Sequence, residues 1–441
     1  MLVQKFGGTS VGSAERMKSV AHLIADGQRK LVVLSAMSGT TNSLLEISAC
    51  FSQNDTQGAL VLVQSLEQRY NAVIDALYAT DDTKKEAQAQ IQAIFNYIRA
   101  FADDVFTPFE EKTIVAQGEL ISTTLFSLYL QENSAESGVC ALIPALDFMR
   151  IDQNGEPDMD FIAANLKKIL AAQPDTQIFV TQGFICRNNF GEIDNLQRGG
   201  SDYTASLVGA AVGATEIQIW TDIDGMHDND PRYVEGTHPV PMLSFDEAAE
   251  LAYFGAKILH PTCILPAKLA NIPVRLLNTM EPAAAGTLIA TAQRAGKIEA
   301  VAAKDGITAI KIKSGRMLLA FGFLRKVFEI FESYQTPIDM VTTSEVGVSV
   351  TIDNNKHLNE IVNDLQTFGT VTVDKDMVIV CVVGDLESKN IGFQAKIVGA
   401  LQDIPVRMIS YGGSNHNVSL LISAKDRKLA LEKLSETLFK N

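Results

Sequence analysis

No GxxxxGK[ST] segment occurs anywhere in the chain, so the phosphate cradle of P-loop proteins is absent. A GxGxxG run after the first strand signal is missing too, which leaves dinucleotide binding without support. Cysteine is scarce and scattered: Cys50, Cys140, Cys186, Cys263 and Cys381 are the five in 441 residues, with no CxxC pair. That spacing fits neither a disulfide framework nor a thiolate metal site, and a reducing compartment is expected. The six histidines are equally dispersed, so a structural zinc site is not expected. Basic residues are in deficit, 37 Lys+Arg against 52 Asp+Glu, for a formal net charge of −15. A nucleic-acid or anionic membrane surface needs clustered Lys and Arg, and neither partner is expected. The N-terminus, MLVQKFGGTS, has no basic stretch leading into an apolar one, so no secretory leader is expected. The apolar stretch around residues 207–214 is broken by Gly and falls short of the about 20 residues that span a bilayer. What remains is a globular protein, 46% hydrophobic and 20% charged, expected in the cytoplasm and long enough for two or three domains.

Strand and helix signals alternate in the first part. Leu2–Phe6 and residues 30–36 are short runs rich in Val and Leu, as expected for strands buried on both faces. Between them Ser13 can cap a helix whose stripe is Met17, Val20, Ala21 and Ile24. Residues 53–111 read as helical throughout, with Leu62, Leu66, Tyr70, Val73 and Leu77, then Ile91, Ile94, Phe95 and Ile98, as a helical insertion on an α/β core. Strands are expected again near 139–145, 177–184, 216–222 and 274–278, with helices near 114–130, 158–172, 203–212 and 245–255. This alternation predicts a mostly parallel sheet covered on both faces, with ligands at the carboxyl ends of its strands. Beyond about residue 297 two α+β units align at an offset of 70: Gly322-Phe323 with Gly392-Phe393, Ser344 with Ser414, Val348-Ser349-Val350 with Val418-Ser419-Leu420. Pro337 and Pro405 lie 68 apart, so the register slips in one loop and recovers. Two copies make a duplicated small domain rather than a solenoid.

Residues able to do chemistry gather at the expected strand ends. Lys5-Phe6-Gly7-Gly8-Thr9-Ser10 lets the backbone approach a ligand closely, and its N–H groups and lysine suit phosphates. By itself that Gly-Gly turn is equally ordinary loop geometry. Residues 35–42, SAMSGTTN, offer hydroxyl and N–H donors to an anion, or a solvated turn. Glu119 falls on the core side of an apolar helix, where a carboxylate needs a partner: a substrate ammonium, an active-site lysine or a plain internal ion pair. Arg198 can clamp a carboxylate at two points, Gly199-Gly200 admits a close ligand, and Ser201-Asp202 starts a helix, with Asp202 as a cap or an orienting group. Residues 220–225, WTDIDG, and then Asp230-Pro231-Arg232 suit a nucleotide and its Mg²⁺, and Lys257 stands at a helix joint. Four basic residues at loops of an acidic chain, Lys5, Arg198, Arg232 and Lys257, together favour a polyanion.

These segments, with TQGF from Thr181, FGAKILHP from Phe254, VTTSEVGVSVTID from Val341 and MISYGGSNHNVSLLIS from Met408, resemble the aspartate kinase family in order over essentially the full chain. The resemblance implies a three-layer α/β/α amino-acid kinase domain over 1–297. Two interleaved ferredoxin-like ACT units would follow over 298–441, the first about 306–375 and the second about 376–441 plus a strand near 300–304. It implies transfer from ATP, with Mg²⁺, to L-aspartate. Catalysis would fall to Lys5, Glu119, Asp202 and Lys257, and aspartate to Thr41, Glu119, Phe184, Arg198, Gly199, Gly200, Ser201 and Asp202. The nucleotide would lie on Lys5, Phe6, Gly7, Gly8, Thr221, Asp222, His227, Arg232, Lys257 and Ile258, with His227 where the family usually has Tyr, and no protein-built metal cage. The first ACT unit resembles the lysine-sensitive class, with an effector site of Met317, Phe323, Leu324, Ile338, Asp339, Thr343, Ser344 and Glu345. There Leu319 and Ala320 replace polar His and Ser, a loss of about 1–3 kcal/mol in lysine binding or a redirected specificity, with threonine the alternative effector. A homodimer or tetramer through the ACT units is the expected assembly. Two rivals are a kinase for another small carboxylate such as acetylglutamate and a silent amino-acid sensor. The first lacks the duplicated tail and the RGGSDYTA context, and the presence of Lys5, Glu119, Asp202 and Lys257 argues against the second.

Overall fold

The computed structural model describes residues 1–103, 105–134, 139–196, 199–255, 259–291, 295–314, 321–387 and 389–440. Arg198, Lys257, Ile258, Met317, Leu319 and Ala320 lie outside the described residues. The chain forms two compact units, Met1–Gly225 with Leu259–Thr291, and Met226–Ile258 with Ala292–Asn441. No described helix is long and apolar enough to cross a membrane.

The first unit contains β1 (Leu2–Phe6), α1 (Ala14–Ile24), β2 (Lys30–Leu34), α2 (Thr40–Ser52), α3 (Thr56–Leu77), α4 (Asp81–Ala100), α5 (Pro108–Glu132) and β3 (Cys140–Leu142). It continues through α6 (Met159–Ala171), β4 (Ile178–Gln182), β5 (Ile185–Arg187), β6 (Ile193–Asn195), α7 (Gly200–Val212) and β7 (Glu216–Thr221). After β8 (Met242–Ser244) and α8 (Phe245–Tyr253) of the second unit, it closes with α9 (Leu265–Leu269), β9 (Val274–Asn278) and β10 (Thr287–Ala290). Its main strands lie in the order β3-β4-β2-β1-β7-β9-β10. Neighbours are parallel as far as β9, and β10 runs antiparallel to β9. β2 and β4 are buried at every position, so both faces of the sheet are covered. Phe6 is level with Leu34 on one side and Trp220 on the other, and Leu34 with Gln182. Four consecutive strands therefore release their loops from one row.

The helices follow their caps and stripes. The Ser13 hydroxyl accepts from Arg16 N, and Met17, Val20, Ala21 and Ile24 of α1 are buried. Asp55 and Thr80 cap α3 and α4, which bury Val63, Leu66, Tyr70 and Ile74, and Ile91, Phe95 and Ile98. The inward face of α3 is turned slightly from expectation, so Leu62 and Val73, like Ile94 of α4, only flank the core. α5 opens on a capping box of Thr107 and Glu110 with Pro108 in the first turn, and is buried nearly all round.

The second unit carries β11 (Ile298–Lys313), α10 (Phe323–Ser333), β12 (Val341–Ser344), β13 (Gly347–Ile352), α11 (Leu358–Gln366), β14 (Thr370–Gly384), α12 (Phe393–Ala400), β15 (Met408–Ser410), β16 (Asn417–Ser423) and α13 (Arg427–Leu438). Its antiparallel sheet runs β12-β13-β11-β14-β16-β15, symmetric about the central pair. The repeat read from the sequence reappears in the backbone: Gly322 and Gly392 both cap a helix at positive φ, 79° and 92°. β11 and β14 are each continuous through both halves, and β14 runs unbroken across positions 375 and 376. Residues 226–258, read from the sequence with the kinase domain, group with this unit for identifiable reasons. Val301 N donates to Asp228 O, Asn229 Nδ2 to Leu431 O and Asn417 Nδ2 to Glu250, and Val234 enters the apolar core of the C-terminal half.

Phe95, fully buried against Tyr70 on the inner face of α4, gives a stability test of the helical insertion. Phe95→Ala should cost about 3–5 kcal/mol, whereas Gln88→Ala on the exposed face of the same helix should stay within about 0.5 kcal/mol. Urea unfolding followed by circular dichroism checks both.

Candidate active site

At the carboxyl row of the first unit, β1 ends in Gly7-Gly8, β2 in residues 35–39 and β4 in Gly183-Phe184. The loops sit close enough that side chains are excluded. A Cβ on Gly8 would lie 2.8 Å from the carbonyl oxygen of Ala36, and one on Gly183 2.3 Å from Ser201. Gly199, at φ 72°, caps α7, and a Cβ there would meet Cys263 Sγ at 1.7 Å. Burial pushes the Cys263 thiol up to about 12, so it fills space as a neutral group. Phe184 takes φ 67°, a strained geometry for an aromatic residue, and is clamped there. Its N–H donates to Thr204 Oγ1 at 2.9 Å, and its carbonyl accepts from Leu196 N at 2.8 Å.

These loops enclose a cavity of ≈ 350 Å³ whose wall includes Gly8, Ser35, Thr41, Glu119, Phe184 and Ser201. Glu119, on α5, is only 4% exposed. Its Oε1 accepts from Ala36 N at 3.2 Å, whereas its Oε2 is buried with no hydrogen-bond partner. Burial pushes its pKa up to about 8, against the lowering effect of the Ala36 N–H. α5 is fixed at this point by Ser122, whose hydroxyl donates to Ser35 O, and by the packing of Gly118 against Ala36. Lys5 Nζ forms an ion pair of 2.6 Å with Asp202 Oδ1, and also lies beside Gly7, 3.4 Å from where a Cβ would stand. The first strand and the start of α7 thus join a cation to the glycine turn. Ser35 Oγ donates to Ser201 Oγ at 2.9 Å.

Lys5, Thr41, Glu119, Phe184, Gly199, Gly200, Ser201 and Asp202 thus come together in this unit, with Gly7 and Gly8, while the buried Phe6 stacks on Trp220 behind them. Thr221 ends β7 in the first unit and Asp222 follows it, with Thr221 donating to the Asp222 carboxylate at 3.1 Å. His227 and Arg232 belong to the second unit. His227 Nδ1 is 2.9 Å from Thr237 Oγ1, and Asp230 holds the Arg232 guanidinium at 2.6 Å in the Asp-Pro-Arg turn. Sequence reasoning named Thr41 alone from the 35–42 loop as a substrate residue, yet Ser35, Ser38 and Asn42 share the cavity wall. Their signal was the density of small polar residues after a strand. No group of three or more His, Cys, Asp or Glu able to hold a metal occurs among the described residues.

Within the second unit, Phe323 packs into the apolar core with Val327 and Phe331, while Leu324, Thr343, Ser344 and Glu345 are exposed and Ile338 is half-buried. Asp339 is already engaged. Lys304 Nζ lies 2.7 Å from its Oδ1 and 2.9 Å from Asp353 Oδ2, and the Tyr253 hydroxyl donates to the same Oδ1 at 2.7 Å. Burial would pull the Lys304 ammonium down, but its bonds to the two carboxylates outweigh that and raise its pKa. Asp339 Oδ2 remains buried without a hydrogen-bond partner.

The profile of the amino acid kinase family matches residues 1–278, and an ACT domain profile matches residues 380–438. The chain is therefore a member of the amino acid kinase family that carries an ACT region. Lysine-sensitive aspartokinase 3 of Escherichia coli (strain K12) is 32% identical over 452 residues, covering 100% of this chain and 99% of that protein. Chloroplastic aspartokinase 3 of Arabidopsis thaliana is 34% identical over 468 residues, covering 99% and 81%. The crystal structure of E. coli aspartokinase III in complex with aspartate and ADP (R-state) superposes with a TM-score of 0.82 at 32% identity, covering 100% of both chains. That of Clostridium acetobutylicum aspartate kinase gives 0.86 at 25% identity, covering 99% of this chain and 100% of that one. More narrowly, then, the chain belongs to the aspartokinases.

Glu119 supplies a pH test. A carboxyl raised in the folded state holds its proton longer than in the unfolded chain, so its contribution to stability is lost as pH rises from the unfolded value of about 4.3 towards about 8. Without substrate, Glu119→Gln should flatten that fall in stability across the window, as read by thermal melts at pH 5, 6.5 and 8.

Proposed function

We propose that this aspartokinase transfers the γ-phosphoryl group of ATP to the side-chain carboxylate of L-aspartate, giving 4-phospho-L-aspartate and ADP. That reaction opens lysine, threonine and methionine biosynthesis. The observation that carries the reading is the Glu119 oxygen left without a partner beside an amino-acid-sized cavity. An ammonium group is the natural complement to it. The incoming ammonium would draw the Glu119 pKa down from about 8, so aspartate binding at neutral pH releases a proton from Glu119. The attacking carboxylate, with a reference pKa near 3.9, is already ionised and needs no general base. In-line placement and charge neutralisation then carry the step: a carboxylate oxygen forms the new bond to phosphorus as the bond to the β-phosphate oxygen breaks, and ADP departs with that electron pair.

The protein supplies the positions. Gly7, Gly8 and Lys5 face the phosphates, and Asp202 holds the Lys5 ammonium in place. Arg198 takes the α-carboxylate of aspartate, while Thr41, Phe184, Gly199, Gly200 and Ser201 line the acceptor pocket. Thr221, Asp222, His227, Arg232, Lys257 and Ile258 hold the nucleotide. Mg²⁺ enters with ATP, held mainly by phosphate and water oxygens, and a dedicated protein cage is not needed. Asp222, the residue after β7, would be a carboxylate for it, and the ion would supply neutralisation of charge on the transferred group.

Regulation by an amino acid, lysine before threonine, is assigned to Met317, Phe323, Leu324, Ile338, Asp339, Thr343, Ser344 and Glu345. The unpartnered Oδ2 of Asp339 supports an ammonium-bearing effector there. The protein works in the cytoplasm as a homodimer, or a tetramer built from dimers, joined through its ACT units.

ADP release measured with L-aspartate, L-glutamate and acetylglutamate tests the reading: turnover is expected on aspartate, and turnover on another acceptor alone would overturn it. Lys5→Ala should lower kcat by about 10²–10³, whereas Glu119→Gln should act mainly on the aspartate KM. Lysine should inhibit, and Asp339→Asn should raise the concentration needed by about tenfold. Light scattering should return a dimer or larger, and a monomer counts against the assembly.

A further inference from the structure

The segment that leaves β2, residues 35–41, carries two parts of the cavity at the carboxyl row: the Ala36 N–H that holds Glu119, and Thr41 in the wall. Its own sequence does little to order it. Gly39 opens α2 at φ 81° with no side-chain cap, and Ser38 and Gly39 are exposed. A glycine there leaves the chain freer than a capping Ser or Asp would. What fixes the segment comes from α3, in the helical insertion. Arg69 Nη2 donates to Ser38 O, and the Tyr70 hydroxyl lies 2.7 Å from Thr40 Oγ1. Successive residues of one helix thus hold both sides of Gly39.

The bond between Tyr70 and Thr40 is deep in the unit. Both residues are fully buried, and Tyr70 packs on Phe95 with ring centroids 6.1 Å apart. Burial pushes the Tyr70 phenol up to about 12, so it stays a neutral hydroxyl at neutral pH. Thr40 in turn stands against α5: a Cβ on Gly118 would lie 3.3 Å from its Cγ2 and 2.9 Å from the Ala36 Cβ. Glu119 is the next residue, and its charge adds to the raising of the Tyr70 pKa. The Tyr70 hydroxyl, Thr40 and the turn of α5 that bears Glu119 are therefore packed in one row. A buried hydroxyl pair keeps its geometry because losing either partner strands the other. Arg69, half-buried, closes the segment from its exposed side, with Nη1 3.4 Å from where a Gly39 Cβ would stand.

We propose that Arg69 and Tyr70 are positioning residues of the phosphoryl-acceptor site: through Ser38 and Thr40 they hold residues 35–41 so that the Ala36 N–H stays on Glu119 and Thr41 stays in the cavity wall. The helical insertion is then a working part of the acceptor site rather than a cover on the α/β core. The inference rests on the assignment of this cavity to the acceptor, whichever small carboxylate that acceptor is.

Steady-state kinetics of the full chain, with acceptor and MgATP varied separately, test the role. Tyr70→Phe keeps the ring in the core and Thr40→Val keeps the side-chain shape. Each should raise the aspartate KM about three- to tenfold, with kcat and the MgATP KM within about twofold. The double variant should match the singles rather than multiply them, because all three lose the same bond. Arg69→Ala should raise the same KM, and Arg69→Lys, whose ammonium can still donate to Ser38 O, should restore most of it. Equal shifts in both KM values, an unchanged acceptor KM, or effects of Tyr70→Phe and Thr40→Val that multiply would overturn the proposal. If Tyr70→Phe does not fold, as read by circular dichroism, the two Arg69 variants decide. Turnover on glutamate or acetylglutamate alone would sink the aspartate reading, and the same comparison then runs on that acceptor's KM. With no turnover on any acceptor, amide hydrogen exchange over residues 36–42 decides. Faster exchange in Tyr70→Phe and Arg69→Ala supports the positioning role, and unchanged protection overturns it.

Discussion

Parallel register across β4, β2, β1 and β7 is the constraint on which the first unit depends. Because Gln182, Leu34, Phe6 and Trp220 are level, the segments that follow them leave the sheet side by side. Each then has little room, which is why the carbonyl of Ala36 lies against Gly8 and Ser201 lies against Gly183. Side-chain placement follows from the same row. Lys5 reaches Asp202 because β1 lies next to β7, and α7 lies immediately before β7 in the chain. Glu119 is pinned by the N–H of Ala36, the second residue beyond β2. A slip of one residue in any of these strand pairs would reverse faces and separate the cation from the glycine turn.

Much of this was legible in the residues. Val- and Leu-rich runs marked the buried strands, Ser13 marked the start of α1, and Gly-Gly pairs with nearby Lys or Arg marked the loops that line the cavity. The repeat at an offset of 70 announced a duplicated domain, and the structure returns it as a symmetric sheet with matched glycine caps. Other features depend on contacts between residues far apart in sequence. Nothing local tells that Lys5 pairs with Asp202, that Phe184 is held at positive φ by Thr204 and Leu196, or that Cys263 leaves no room at Gly199. Residues 226–258 look like a continuation of the α/β alternation, yet Val234 is buried in the core of the C-terminal half. Periodicity reports which face of an element is apolar and says nothing of which partner covers it.

The C-terminal half shows how a charged cluster can be buried without being wasted. Lys304 and the hydroxyl of Tyr253 share one oxygen of Asp339 and leave the other open. Tyr253 closes α8, directly before the Phe-Gly pair that leads to residue 257. An ammonium placed on the open oxygen would compete with Lys304 for the same carboxylate charge and alter what holds Tyr253. The Asp339 carboxylate and the end of α8 are one electrostatic unit, joined by the Tyr253 hydrogen bond and by Lys304, whose ammonium also lies over the Tyr253 ring.

The central strands β11 and β14 also bear on ancestry. In a simple tandem duplication each copy keeps its own sheet, and either can be lost or exchanged. Here one 16-residue strand and one 15-residue strand serve both copies, so removing either copy would strip the survivor of part of its own backbone pairing and expose an edge. The duplication has become irreversible: the two halves can diverge in side chains, but neither can be deleted, swapped or inherited alone.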